Sequence, residues 1–167
     1  MRKLILLLVL FMAVPACAKV RAVGSTNWEV TSGTISSGTW RGPDKYGLSR
    51  VDLVLLSTAG GIVNATLNSL ASDADLSGRL VRVDFIPDLA NRPTNNWACT
   101  IRGSGGGNST PYVAAINISN TTQTSKSVTM ITVGNVHTPS YVFGPLSIEA
   151  EGCGSNKGIE IRFYLER

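Results

Sequence analysis

The sequence predicts a mainly β protein: a single antiparallel β-sandwich with at most one short helix near 62–75. Three observations predict it. Past residue 18 the chain is rich in Gly, Ser, Thr and Asn, with β-branched residues common and strong helix formers scarce. Short apolar runs alternate with Gly, Pro and Asn punctuation, the spacing of an all-β domain. The final segment alternates cleanly, with Ile159, Ile161, Phe163 and Leu165 on one face and Glu160, Arg162, Tyr164 and Glu166 on the other. An OB-like barrel with extra C-terminal strands is the alternative.

Residues 1–18 read as a secretory signal peptide. Arg2 and Lys3 precede an apolar run from Leu4 to Val14, and Ala16-Cys17-Ala18 supplies small residues for cleavage near Ala18. The run is shorter than the ~20 residues a membrane-spanning helix needs, and no second long apolar run follows, so no transmembrane span is expected. The expected mature domain is 19–167, secreted, at the cell surface or in the periplasm. Val14-Pro15-Ala16-Cys17 also resembles a bacterial lipobox, which implies a lipid anchor at Cys17 and a periplasmic lipoprotein. The basic start and compact apolar run look bacterial.

Residues 19–47 carry only Trp28, Ile35 and Trp40 as apolar anchors. Val51 to Leu56 lacks alternation and reads as a fully buried strand or the opening of a helix. Val63, Leu67, Leu70 and Ala74 fall at helical spacing between Gly61 and Gly78, although Asn64, Thr66, Asn68 and Ser69 are poor helix formers. Val81, Val83 and Phe85 form an inward row, with Arg82 and Asp84 outward. Trp97, Cys99 and Ile101 share an inner face. Gly103 to Pro111 reads as a loop, because its run of glycines holds no regular element cheaply. Tyr112, Ala114, Ile116 and Ile118 form another row, and Ser119 to Ser125 reads as a hairpin loop. Val128 to Val133 and Leu146 to Ala150 are further strands. The expected core is Val81, Val83, Phe85, Ile101, Ile116, Ile118, Ile161 and Phe163.

Net charge is +4, and two of the fifteen basic residues are Arg2 and Lys3, leaving +2 after the leader with no basic cluster. That excludes a nucleic-acid footprint. Cys99 and Cys153 are the two cysteines outside the leader, and an oxidising compartment makes a disulfide between them the default. No neighbouring His or Cys supplies further metal ligands.

No cofactor is expected, with one cation site to weigh. Asp73, Asp75, Ser77 and Asp84 place oxygen side chains at positions 1, 3, 5 and 12 of a loop with Gly78 at position 6. The pattern resembles an EF-hand calcium loop. It departs in having Asp for the bidentate Glu, Val81 at position 9, and Arg79 and Arg82 close by. The bland reading is a polar turn.

No nucleophile elbow, zinc helix or phosphate loop is present, and the sole histidine, His137, has no local catalytic partner. Asp84, Asp88 and Glu149 could form a hydrolytic carboxylate pair only if the fold joined them. The protein is therefore expected not to be an enzyme. Trp40 and Tyr46 flank the turn Arg41-Gly42-Pro43-Asp44 and are the candidate ligand-binding aromatics, since an exposed ring offers flat apolar area with a polar tip. Asn64, Asn108, Asn117 and Asn120 begin Asn-x-Ser/Thr triplets, which a chain of this composition generates by chance.

In composition the chain resembles chaperone–usher pilins, which have an Ig-like sandwich. That resemblance implies an exported structural or adhesive subunit that meets protein partners, or copies of itself, through strand edges. It departs in having late cysteines, the ending Phe163-Tyr164-Leu165, and no apolar alternation over 19–40. The order from weak helix through Cys-bearing strand to Pro111-Tyr112-Val113-Ala114-Ala115-Ile116-Asn117-Ile118 is similar to the end of cholera-type toxin B subunits. This second resemblance covers about fifty residues and implies binding of cell-surface glycans. The leading expectation is a fimbrial-type, non-enzymatic surface protein; a secreted glycan-binding module is the alternative.

Overall fold

The last strand organises the molecule. The computed structural model describes residues 20–22, 28–67, 78–103, 112–128, 131–133, 136–138, 141–142 and 145–166. In it β1 (Val20–Ala22), β2 (Trp28–Ser32), β3 (Thr34–Arg41), β4 (Leu48–Leu56), β5 (Val63–Leu67), β6 (Gly78–Pro87) and β7 (Trp97–Gly103) are followed by β8 (Val113–Ile118), β9 (Thr124–Ser127), β10 (Ile131–Val133), β11 (Val136–Thr138), β12 (Tyr141–Val142), β13 (Leu146–Glu151) and β14 (Gly158–Glu166). β14 lies between β4 and β6, antiparallel to both. Its apolar row Ile159, Ile161, Phe163 and Leu165 is wholly buried, as its alternation predicts.

The first sheet runs β1-β3-β4-β14-β6, with β9 and β12 both on the far edge of β6. The second runs β2-β5-β13-β7-β8. β10 and β11 form a separate antiparallel ribbon. The two sheets stack as an antiparallel β-sandwich, and no helix occurs among the described residues. Inner faces meet through Val51, Leu53, Leu55, Phe85 and Phe163 from one sheet and Leu67, Trp97, Ile101, Leu146 and Ile148 from the other. Phe85 and Trp97 make an edge-to-face pair across the interior, with centroids 5.9 Å apart and planes at 84°.

Four sequence expectations change, each for a local reason. Residues 63–67 form a strand rather than the start of a helix: Val63, Ala65 and Leu67 point inward and Asn64 and Thr66 outward. Val63 and Leu67 satisfy both periods, and small Ala65 hides the shorter one; residues 68–75 lie outside the described set. Val51 to Leu56 is a half-buried strand, with Val51, Leu53 and Leu55 inside and Asp52 and Val54 facing out. Ile116 is 68% exposed rather than core. Ala98 alone faces both Ile116 and Asn117, a bulge in which Asn117 takes φ 55°, so the buried set becomes Val113, Ala115 and Ile118. Val81 is likewise displaced from the core by Leu80, because the β6–β14 register slips between Tyr164 and Leu165. The remaining expected core residues, Val83, Phe85, Ile101, Ile118, Ile161 and Phe163, are fully buried.

Residues 119–123 do not close a hairpin. They carry the chain from β8 in the second sheet to β9 in the first. At one end of the sandwich three other crossings meet: 57–62, 88–96 and 152–157. Ser57 joins two of them, its hydroxyl donating to Gly154 O at 2.7 Å and accepting from Lys157 N at 2.8 Å, and Thr94 N of the third donates to Cys153 O at 2.7 Å. Gly61 (φ 76°) touches the same crossing, and a Cβ there would stand 2.7 Å from Gly154 N. Gly61→Ala is therefore expected to cost about 1–3 kcal/mol from backbone strain, with more from the collision. Urea unfolding checks this, and an unchanged midpoint would show that the two backbones do not meet so closely.

Candidate functional site

The outer face of the second sheet is built by the same alternation that fills the core. With Val63, Ala65 and Leu67, Trp97, Cys99 and Ile101, and Leu146, Ile148 and Ala150 turned inward, the intervening residues must face out. Register then sets them in rows. Asn64, Glu149, Thr100 and Ala114 are neighbours across four strands; Thr66, Ser147 and Arg102 form the next row. Small Ala98 and Thr100 on β7 leave a depression between longer side chains. The result is an open groove of about 360 Å³, lined by Asn64, Thr100, Arg102, Glu149 and Glu151, with Ile62 at its side. Ile62 is 41% exposed. Arg102 Nε lies 3.5 Å from Glu149 Oε2. Both side chains are well exposed, so the pair adds less than about 1 kcal/mol to stability.

This groove interleaves donors (Arg102, Asn64, Thr100) with acceptors (Glu149, Glu151, Asn64, Thr100) on rigid strands. A ligand with many hydroxyls, each both donor and acceptor, is its chemical complement. Sequence reasoning noticed Asn64 and Glu149 only singly. Their juxtaposition needs the register of strands more than eighty residues apart.

The carboxylates weighed as a hydrolytic pair do not meet. Asp84 lies on the outward side of the first sheet, and Glu149 on the outer face of the second. Asp88 instead accepts Ala90 N at 2.9 Å in a loop. His137 pairs with Thr132 in the β10–β11 ribbon.

Trp40 is 3% exposed and belongs to the core. It faces Val51 across the β3–β4 pair, and Val51 is fully buried, so both point inward. The expected ligand role for Trp40 is thus corrected. Tyr46 is 73% exposed, with Lys45 Nζ 4.9 Å from its ring centroid.

Cys99 and Cys153 are both buried and carry free thiols in this structure. Burial pushes both thiols up, Cys153 to about 11, and each of these groups has acidic neighbours that add to the effect: Cys153 and Glu149 for Cys99, Glu151 for Cys153. Asp73, Asp75 and Ser77 lie outside the described residues, as do residues 1–19 with the expected leader and Cys17, and the 104–111 loop. Asp84 is fully buried in β6 and accepts from Arg82 Nη2 at 3.0 Å. Among the described residues no group of three or more His, Cys, Asp or Glu could hold a metal ion.

No protein-family model matches the chain, and no curated protein matches it. Among solved structures it is similar to a family 11 carbohydrate-binding module from Clostridium thermocellum in complex with a β-1,3-1,4-mixed-linked tetrasaccharide, at 10% identity over 88% of this chain and 95% of that one, TM-score 0.39. It is also similar to the family 11 module of the cellulosomal cellulase Lic26A-Cel5E of Clostridium thermocellum, at 13% identity over 89% and 95%, TM-score 0.36. A third similar structure, a CBM4, gives 14% identity over 84% and 92%, TM-score 0.33.

Proposed function

We propose that the protein is an exported, non-catalytic glycan-binding domain whose ligand lies in the groove on the second sheet. One observation carries the reading: donors and acceptors at strand spacing line an open groove in the middle of a sheet, with an exposed apolar side chain beside them. Sugar hydroxyls match the polar groups, and sugar C–H faces match Ile62.

A fibre subunit is supported less well. Its donor strand would have to stand apart from its own domain, yet β1, β2 and β3 pair with β3, β5 and β4. Strand-edge partners remain compatible with the exposed edges β2 and β8.

Calorimetric titration of the full chain with oligosaccharides found on a glycan array is the test. The double variant Arg102→Ala/Glu149→Ala removes both members of an exposed pair and leaves no buried charge, so it is expected to keep its melting temperature. It is expected to bind at least tenfold more weakly, a loss of about 1.4 kcal/mol. Wild type that retains no glycan, or a double variant that binds equally well, overturns the reading.

A further inference from the structure

We propose a second binding site, independent of the groove and on the opposite face of the sandwich, that takes an oxyanion: a carboxylate or sulfate held between Arg41 and Arg50 against Tyr164. The first sheet's register assembles it. Arg41 on β3 faces Arg50 on β4, Arg50 faces Tyr164 on β14, and Tyr164 faces Arg82 on β6. Three guanidinium groups thus share one row across four strands.

Like charges directly opposite each other destabilise a sheet, so this row needs negative charge. The sheet supplies part of it, pairing Arg50 with Asp52 and Arg82 with Asp84. Asp52 is approached by three arginines. Arg50 holds its Oδ2 with Nη2 at 2.8 Å and Nε at 3.1 Å. Arg162 stands 3.8 Å off and is bonded to Glu160 at 2.7 Å. Arg41 comes no nearer than 3.5 Å, outside ordinary hydrogen-bond distance, and its side chain is 46% exposed. Arg82 is committed elsewhere, to Asp84 and to the face of Tyr164, with its guanidinium carbon 4.1 Å from the ring centroid. That stacking fixes the ring. Among the described residues Arg41 is therefore the cation of the row whose carboxylate neighbour lies beyond hydrogen-bond distance.

The space in front of it is already shaped. A pocket of about 210 Å³ is lined by Arg41, Gly42, Asp44, Leu48, Arg50 and Tyr164. At ~30 Å³ per water that is room for about seven waters, or for a sulfate or the acidic end of a sugar. Among the described residues Asp44 is the one carboxylate in the lining. Its Oδ1 accepts the backbone N–H of Tyr46 at 2.8 Å and of Leu48 at 3.0 Å, so it is engaged in holding the turn. The same turn carries Lys45 and the exposed Tyr46 ring. An oxyanion entering here meets the planar Arg41 fork, which binds carboxylates and sulfates through two parallel hydrogen bonds.

The test titrates the full chain at low ionic strength with sodium sulfate, glucuronic acid and glucose, followed by calorimetry. Sulfate or glucuronic acid is expected to bind and glucose not to. Equal binding of both anions identifies a general anion site; binding of glucuronic acid alone identifies an acidic sugar. Arg41→Gln is expected to weaken the anion at least tenfold, with unchanged melting temperature and unchanged oligosaccharide binding in the groove. Arg41→Lys, which keeps charge but loses the fork, is expected to recover only part of the affinity. Failure of both anions to bind at millimolar concentration, or wild-type affinity in Arg41→Gln, overturns the proposal.

Discussion

Trp97→Ala is expected to destabilise the domain by about 3–5 kcal/mol, the usual cost of emptying a large buried aromatic site. Trp97 is fully buried and supplies the second sheet's half of the Phe85–Trp97 contact. Deleting the indole removes both its transfer energy and the edge-to-face pairing, and the strands on either side of β7 limit collapse into the void. For a domain of this size each kcal/mol shifts Tm by roughly 2–4 °C, so a fall of order 10 °C is expected. Trp97→Phe should cost much less, because the indole N–H is buried with no hydrogen-bond partner and its removal relieves a penalty. In a cycle with Phe85→Ala the two losses should be non-additive. Urea unfolding of the wild type and each variant measures these losses; a loss below 1 kcal/mol for Trp97→Ala would mean that the two sheets do not depend on this contact.

Oxidation of Cys99 and Cys153 is expected to stabilise the domain by about 4 kcal/mol on the chain-entropy account of a loop of some 55 residues. β13 sets the two sulfurs in one region. Cys99 faces Ala150 in register, and Gly152, at φ 68°, turns the chain so that Cys153 follows just beyond. Cys153 N then donates to Gly61 O at 3.0 Å, and Thr94 N donates to Cys153 O at 2.7 Å. With its thiol pushed up to about 11, chiefly by burial, Cys153 holds little thiolate at neutral pH, so the folded reduced form should oxidise slowly. The bridge should form before the core closes. Alkylation of unreduced, unfolded protein, followed by mass measurement, should show neither thiol modified in material from an oxidising compartment. The denaturation midpoint should fall on reduction. Two alkylated thiols, or a midpoint indifferent to reductant, would contradict this expectation.

Much of the sandwich was legible wherever one strand carried its own signal. The alternation of 159–165 identifies β14 and its buried face without help, and the shared face of Trp97, Cys99 and Ile101 does the same for β7. Legibility failed at bulges. Ile116 and Val81 keep perfect period-two spacing with their neighbours, yet both leave the core, because a single extra residue in one strand inverts the phase beyond it. Asn117 was the available hint, since Asn tolerates positive φ. Trp40 was misjudged for a different reason: an isolated aromatic beside a turn says nothing about which face its strand turns inward, and only pairing with Val51 decides that.

By itself the sequence determined the material: an all-β chain, the alternating strands of its interior, and polar residues enough to cover two outer faces. Tertiary structure alone decided which polar residues stand side by side. Asn64, Thr100 and Glu149 become one row, and Arg41, Arg50, Tyr164 and Arg82 another, through antiparallel pairings that join distant stretches of chain. The physical reason is that side-chain alternation fixes a face but not a register, and a slip of one strand relative to its neighbour regroups every cross-strand row without altering a residue.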